Sequence, residues 1–162
     1  MNPGRIIAPV GSLVVLKAGL CGQDGKLISG EPIQWIMSQE SVGYFASVGE
    51  MGVSRLRIVP RFDWGKISNS LAMGQTGRTA QVVTRGTASR SDDVLVLEGE
   101  SWLTLASSSE GVSRVTAHAP DSQSWDSVRQ PAVVHGVDAE ATRSEEDTAE
   151  LQARTHVVFL VL

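Results

Sequence analysis

The chain has 162 residues, a net charge of −4 and one cysteine. This length corresponds to one domain and lets the chain bury about two thirds of its surface without covalent cross-links. A single cysteine excludes an internal disulfide framework and a cysteine-rich zinc site. The negative net charge gives no basic footprint for nucleic acid, and no apolar run approaches the ~20 residues that span a bilayer.

The negative charge is concentrated near the carboxyl end. Six of the 18 carboxylates lie close together there: Asp138, Glu140, Glu145, Glu146, Asp147 and Glu150. Local runs of this kind usually mark a solvated linker. We therefore predict a folded unit over 1–138 and an acidic linker over 139–154. Residues 155–162 are predicted as the first strand of a truncated following domain or, alternatively, as a strand that closes the first unit.

Most apolar residues alternate with polar ones in short runs bounded by Gly, Pro, Asp and Ser, which is typical of β-strands. In Ser12–Leu20, Lys17 has to face water, so Val14, Leu16 and Ala18 are predicted to face the core. In Ile33–Met37, Trp35 is predicted to face inward. The other strands predicted in the first half are Lys26–Ser29, Gly43–Val48, Arg55–Val59 and Ala80–Thr84, and Phe62–Gly77 is predicted as a loop.

Two further alternating stretches follow. Val94–Leu97 and Ser101–Ala106 are predicted as a strand pair, or as one strand broken at Gly99. Glu98 and Glu100 would face outward, and the leucines would face inward, namely Leu95, Leu97, Leu103 and Leu105. Val112–Ala119 places Val115, Ala117 and Ala119 inward. Ala132–Val137 completes the unit, and Ser144–Arg154 is the one stretch that favours a helix.

Two segments resemble the bacterial immunoglobulin-like modules of the intimin and invasin type. The first runs from Gly22-Gln23-Asp24-Gly25 to Pro32-Ile33-Gln34-Trp35, with a tryptophan where the third strand of such modules has a core aromatic. The second is the run EGVSRVTAHAP at 110–120, which is similar to their penultimate strand. The resemblance implies an all-β, immunoglobulin-like β-sandwich of about seven to nine strands. The cysteine pair of antibody-type domains is absent from this chain.

Other phrases resemble the N-terminal region of large bacterial surface proteins that carry conserved extracellular repeats. They are RIIAPVGS at 5–12, AGLCG at 18–22, Arg85-Gly86-Thr87 with Asp92-Asp93-Val94, and WLTL at 102–105. This likeness implies a non-enzymatic module that is extracellular or exposed at the cell surface. It also implies partners among the neighbouring domains of the same chain, and among cell-wall or host glycans or proteins. It brings no catalytic residues with it.

The histidines, aspartates and serines of the chain do not show the spacing of known metal-binding or nucleophile motifs. His118, His135 and His156 do not fall at zinc-ligand spacing, and Asp92-Asp93 lacks the D-x-D-x-D-G pattern of a calcium loop. The nucleophile elbow G-x-S-x-G is absent. We therefore expect no enzyme activity, metal or cofactor. A hydrolase site assembled across strands is a distant alternative.

Three tryptophans outside the predicted core are the candidate ligand-binding residues. Trp102 has outward parity in its strand, and Trp64 and Trp125 lie in predicted loops. An exposed indole can stack on a sugar ring or anchor a partner, so a carbohydrate-binding or adhesion module is the alternative function. A loop tryptophan can equally fold back to cover one end of a sandwich.

Cys21 can take either of two orientations. On a regular strand it points outward, whereas a bulge at Gly19 would turn it inward. The resemblance implies an oxidising exterior, where an exposed single thiol can cross-link chains. We therefore predict the bulged arrangement, with Cys21 buried as a small apolar residue.

Overall fold

The computed structural model describes residues 4–49, 65–121, 129–138 and 157–161, the last segment by its backbone alone. These residues form an all-β fold in which one 3₁₀ turn, Arg90–Asp92, is the helical element. The strands are β1 (Gly4–Pro9), β2 (Val14–Gly19), β3 (Pro32–Met37), β4 (Gly43–Val48), β5 (Gly65–Lys66), β6 (Leu71–Gln75), β7 (Gln81–Val83), β8 (Val94–Val96), β9 (Glu100–Ser107), β10 (Gly111–His118), β11 (Arg129–Val137) and β12 (Val157–Val161).

Twelve strands in the described residues exceed the seven to nine that were expected, because short edge strands and an extra two-stranded ribbon add to the main sheets. One sheet has six strands in the order β1-β11-β10-β3-β6-β5, with β1 parallel to β11 and the other neighbours antiparallel. A second sheet has the order β12-β2-β9-β4. β7 and β8 pair only with each other and form the ribbon.

β12 runs parallel to β2, with Val157 opposite Val15 and Val161 opposite Gly19. It therefore lies at the edge of the four-stranded sheet, as a strand that joins the preceding unit would. The domain boundaries stay a prediction. The predicted strand Arg55–Val59 and the helix-favouring stretch Ser144–Arg154 lie outside the described residues.

Side chains from both main sheets meet in one apolar core. Trp35 of β3 and Phe45 of β4 are completely buried there, together with Leu16, Ile33 and Leu103. The inward positions predicted from alternation in β2, β3 and β10 are confirmed, because Val14, Leu16, Ala18, Trp35, Val115, Ala117 and Ala119 all belong to this core. The core therefore lies between the two sheets, and each sheet has an outer side that faces away from it.

The predicted loop Phe62–Gly77 is wrong in part, because it contains β5 and β6. Its small residues serve a close approach between layers. Ala72 is completely buried, and a Cβ added at Gly74 would lie 2.7 Å from Ser101 Oγ and 3.4 Å from the Trp35 indole nitrogen. Gly74 therefore makes room for Ser101, and Ala72 lies opposite Trp35 in the register, although the same composition is typical of a loop.

The predicted orientation of the stretch around Gly99 is also wrong in part. Leu103 and Leu105 are buried, but Leu95 and Leu97 are exposed and Glu100 is buried. Gly99 takes a positive φ of 81°, and the Glu100 N–H donates to the Leu97 carbonyl across a tight turn. This turn breaks the alternation between β8 and β9. As a result, Val94 and Val96 are buried against Val15, whereas Leu95 and Leu97 face solvent.

Cys21 is exposed, so the prediction of a buried thiol is wrong. β2 keeps an unbroken register against β9 from Val14 to Gly19, without the bulge that burial required. Beyond β2, Cys21 forms an isolated bridge with Leu27, and its thiol lies 3.6 Å from the Gly22 carbonyl oxygen.

Candidate functional site

The outer side of the four-stranded sheet carries a second apolar cluster. Val15 of β2 packs there against Val83, Val94 and Val96 of the β7–β8 ribbon, and Trp102 packs against the same group. Because Val14, Val15 and Leu16 are consecutive and all buried, β2 has apolar contacts on both of its faces. We call this surface, formed by β2 and β9 beneath the ribbon, the covered face.

An ion pair fixes the ribbon to the covered face. Lys17 Nζ lies 2.9 Å from Glu100 Oε2 and donates to the Leu95 carbonyl oxygen over 3.2 Å. The same Glu100 oxygen accepts the Leu97 N–H over 2.8 Å. These are backbone groups that a neighbouring strand would otherwise pair with, so the two side chains replace a strand along this edge of β8. Lys17 faces away from the core, as predicted, but its side chain is only 13% exposed.

Trp102 faces away from the main core, as its parity predicted, but it is half-buried beneath the ribbon. A Cβ at Gly49 would lie 2.8 Å from the indole ring, so Gly49 packs directly on it. Its Nε1 is buried without a hydrogen-bond partner in the part of the chain that the structure describes. Trp64 and Trp125 lie outside the described residues. Ligand binding by the three tryptophans stays a prediction.

The outer side of the six-stranded sheet forms a second surface, which no other element in the described part of the chain covers. We call it the open face. It is built from residues of β1, β11, β10, β3 and β6 that alternate with the core residues. Pairing across the strands gives four rows: Ile7–His135–Val112, Arg5–Val133–Arg114, Pro131–Thr116–Ile36–Leu71 and Arg129–His118–Gln34–Met73. Sequence analysis missed this surface, because strand order decides which residues are neighbours.

The open face combines exposed aliphatic side chains with charge of one sign. Ile7 is 39% exposed and Ile36 is 37% exposed, whereas aliphatic side chains on the other side of these strands are buried. The five strands contain three arginines, Arg5, Arg114 and Arg129, and no aspartate or glutamate. The surface therefore carries exposed aliphatic and basic side chains in neighbouring rows.

His118 lies on the open face, where its Nδ1 is 3.1 Å from Gln34 Oε1. Partial burial, together with the positive charge of Arg129, lowers the pKa of His118 below its ordinary value of 6.5. His118 therefore takes up a proton under more acidic conditions than an ordinary histidine does. This histidine links the charge of the open face to pH.

Within residues 4–49, 65–121 and 129–138, no three side chains of His, Cys, Asp or Glu come together as metal ligands. No helix in the described part of the chain is long and apolar enough to cross a membrane. No protein-family model, curated protein or solved structure matches this chain.

Proposed function

We propose that the chain is a non-enzymatic, immunoglobulin-like β-sandwich module that binds a partner through the open face. The strand order supports this fold type. One sheet contains the neighbouring strands β11, β10, β3 and β6, and the other contains β2, β9 and β4. Immunoglobulin domains divide their strands between two sheets in a similar way. The buried Trp35 lies on β3, the strand where such sandwiches carry a core tryptophan.

The open face is the observation that carries the functional proposal. A sheet side that stays in water is normally polar in its alternate positions, whereas this one presents Ile7 and Ile36 with more than a third of each side chain exposed. Apolar residues grouped on one face and bordered by charge are typical of interaction surfaces. The β7–β8 ribbon covers the equivalent side of the other sheet.

Three buried polar side chains support a structural role. Ser113 Oγ accepts the Gly43 N–H over 2.8 Å, and Thr76 Oγ1 accepts the Glu31 N–H over 2.9 Å. Glu100 binds the Leu97 N–H and Lys17. Each of these three groups satisfies a backbone group or an ion pair that holds strands together.

The setting in a bacterial surface or secreted protein is part of the same proposal and rests on the resemblance of the sequence motifs. The partner would then be a neighbouring domain of the same chain, or a protein or glycan of the cell wall or host.

Site-specific photo-cross-linking tests the proposal. A photoreactive residue replaces Thr116, at the centre of the open face, and the chain is expressed in its native cell. We expect one adduct of defined mass from this position. The matched control places the same residue at Glu98, an exposed position in the turn before β9, and should give no such adduct. Equal labelling at both positions, or no adduct from Thr116 and none from Val133, would contradict the proposal.

A further inference from the structure

We propose that the open face binds an acidic polypeptide surface, whose carboxylates pair with Arg5 and Arg114 and whose aliphatic side chains cover Ile36. This inference rests on the proposed function and adds the chemistry of the partner. It follows from the placement of charge and apolar surface across strands that are distant in the sequence.

The charges of the open face are arranged as a pair. Arg5 and Arg114 both lie directly beside Val133, one on the parallel neighbour β1 and the other on the antiparallel neighbour β10. Since neighbouring strands are about 4.8 Å apart, the two arginine backbones are about 10 Å apart. Both side chains are exposed. A guanidinium binds a carboxylate through two parallel hydrogen bonds, so this row offers two carboxylate sites on either side of an apolar residue.

The strands of the open face do not themselves supply these carboxylates. The strands of the open face contain no aspartate or glutamate. On the covered face, by contrast, the cation Lys17 has its acid, Glu100, at 2.9 Å. A basic surface that lacks acids of its own attracts an acidic one, and charge complementarity of this kind sets the association rate and the register of a complex.

The apolar rows indicate that the acidic partner is a polypeptide. Ile36 lies beside Thr116 and Leu71, in the row next to the arginine pair. A sulfated glycan or a nucleic acid would satisfy the arginines but would leave these aliphatic groups without apolar contacts. A second copy docking through the same face is disfavoured, because its strands would present the same arginines and no carboxylates.

The experiment titrates the full-length, ¹⁵N-labelled chain with defined probes. Three 12-residue peptides have leucine and valine at the same positions. They differ at four other positions, which are all glutamate, all glutamine or all lysine. A sulfated oligosaccharide serves as the non-peptide polyanion. We expect the glutamate peptide to shift the amide signals of Arg114, Val133 and Ile36. It should bind about tenfold more tightly than the glutamine peptide, and the lysine peptide should not bind.

Single variants locate the carboxylate sites. Arg5→Gln and Arg114→Gln should each weaken binding of the glutamate peptide about threefold, the size expected for one exposed charge pair, and should flatten its salt dependence. Arg90→Gln removes an exposed arginine far from these strands in the sequence and should change nothing. All three variants should keep the thermal midpoint of the parent chain, because none of these side chains lies in the core.

Four results would overturn the inference: equal binding of the glutamate and glutamine peptides, signal shifts confined to another surface, tighter binding of the sulfated oligosaccharide, or self-association of the chain through the open face. An adduct at Thr116 combined with any of these results would keep the open face as a docking surface and reject its acidic partner. Absence of the adduct would reject the proposed function itself.

Discussion

The outer sides of the two main sheets differ in how the chain treats them. On the covered face, β2 supplies buried residues in both directions, and the β7–β8 ribbon packs over Val15 and Trp102. On the open face, β10 alternates strictly, with Val115 and Ala117 in the core and Arg114 and Thr116 outside. A continuous apolar run in β2 thus requires an additional layer, whereas the alternation in β10 requires none.

Charge separates the two faces in the same way. Lys17 and Glu100 pair beneath the ribbon, where an unpaired charge would be costly. Arg5 and Arg114 lie on strands that provide no acid. In this fold, the buried charge is paired with an opposite charge, because a buried unpaired charge would lower stability. Arg5 and Arg114 are therefore available for a partner.

The largest expected effect comes from breaking the ion pair of the covered face. Glu100→Ala removes the carboxylate that pairs with Lys17 and accepts the Leu97 N–H. The free energy of unfolding should therefore fall by about 3 kcal/mol, as for other buried pairs that lose one member. Chemical denaturation measures this loss. Glu98→Ala, two residues away and exposed, should change stability by less than ~0.5 kcal/mol. Similar losses in both variants would show that the pair does not hold the ribbon.

A smaller effect compares one apolar residue from each face. Trp102→Ala should cost about 2 kcal/mol, below the ~3–5 kcal/mol of a fully buried aromatic, because the indole is only half-buried. Ile36→Ala on the open face should cost under ~1 kcal/mol, because its side chain is already 37% exposed. The same denaturation experiment ranks the two variants. If Ile36→Ala were the more damaging change, the open face would be part of the core.

The smallest effect concerns His118 and pH. Its pKa is lower in the folded chain than in the unfolded chain, so the unfolded state binds more protons as the pH falls through about 6.5. Stability should therefore be highest above that pH and decrease towards the lowered folded pKa. Unfolding free energies between pH 5 and 8 measure this decrease, and His118→Gln should lack this contribution. His135→Gln, a substitution on the same face, should keep the pH-dependent decrease in stability. If both variants lost this decrease, it would not arise from His118 alone.

Part of the fold could be predicted from local sequence pattern. Alternation in β2, β3 and β10 identified the inward residues correctly, since successive side chains of a strand point to opposite faces. The pattern failed at Gly99, where one residue with positive φ exchanges the faces of β8 relative to β9. It failed again at β6, where Ala72 lies opposite Trp35 and Gly74 makes room for Ser101, so their small size reflects packing and not a loop.

The candidate surfaces were harder to predict from the sequence than the core was. Trp102 was correctly placed on the side away from the core, but no local pattern indicates that the ribbon covers it. Cys21 was predicted to be buried on an argument about its compartment, and the regular pairing of β2 exposes it instead. Neither outcome depends on the residues next to these two in the chain.

The sequence by itself determined the all-β class and, in most strands, which residues share a side. It could do so because parity within a strand is a local property of the extended backbone. The tertiary structure alone decided which side is covered, which charges meet and which stay unmatched. Lys17 and Glu100 are 83 residues apart, and Arg5 and Arg114 become neighbours of Val133 only through the strand order. Such contacts depend on which strands pair, and parity carries no information about pairing.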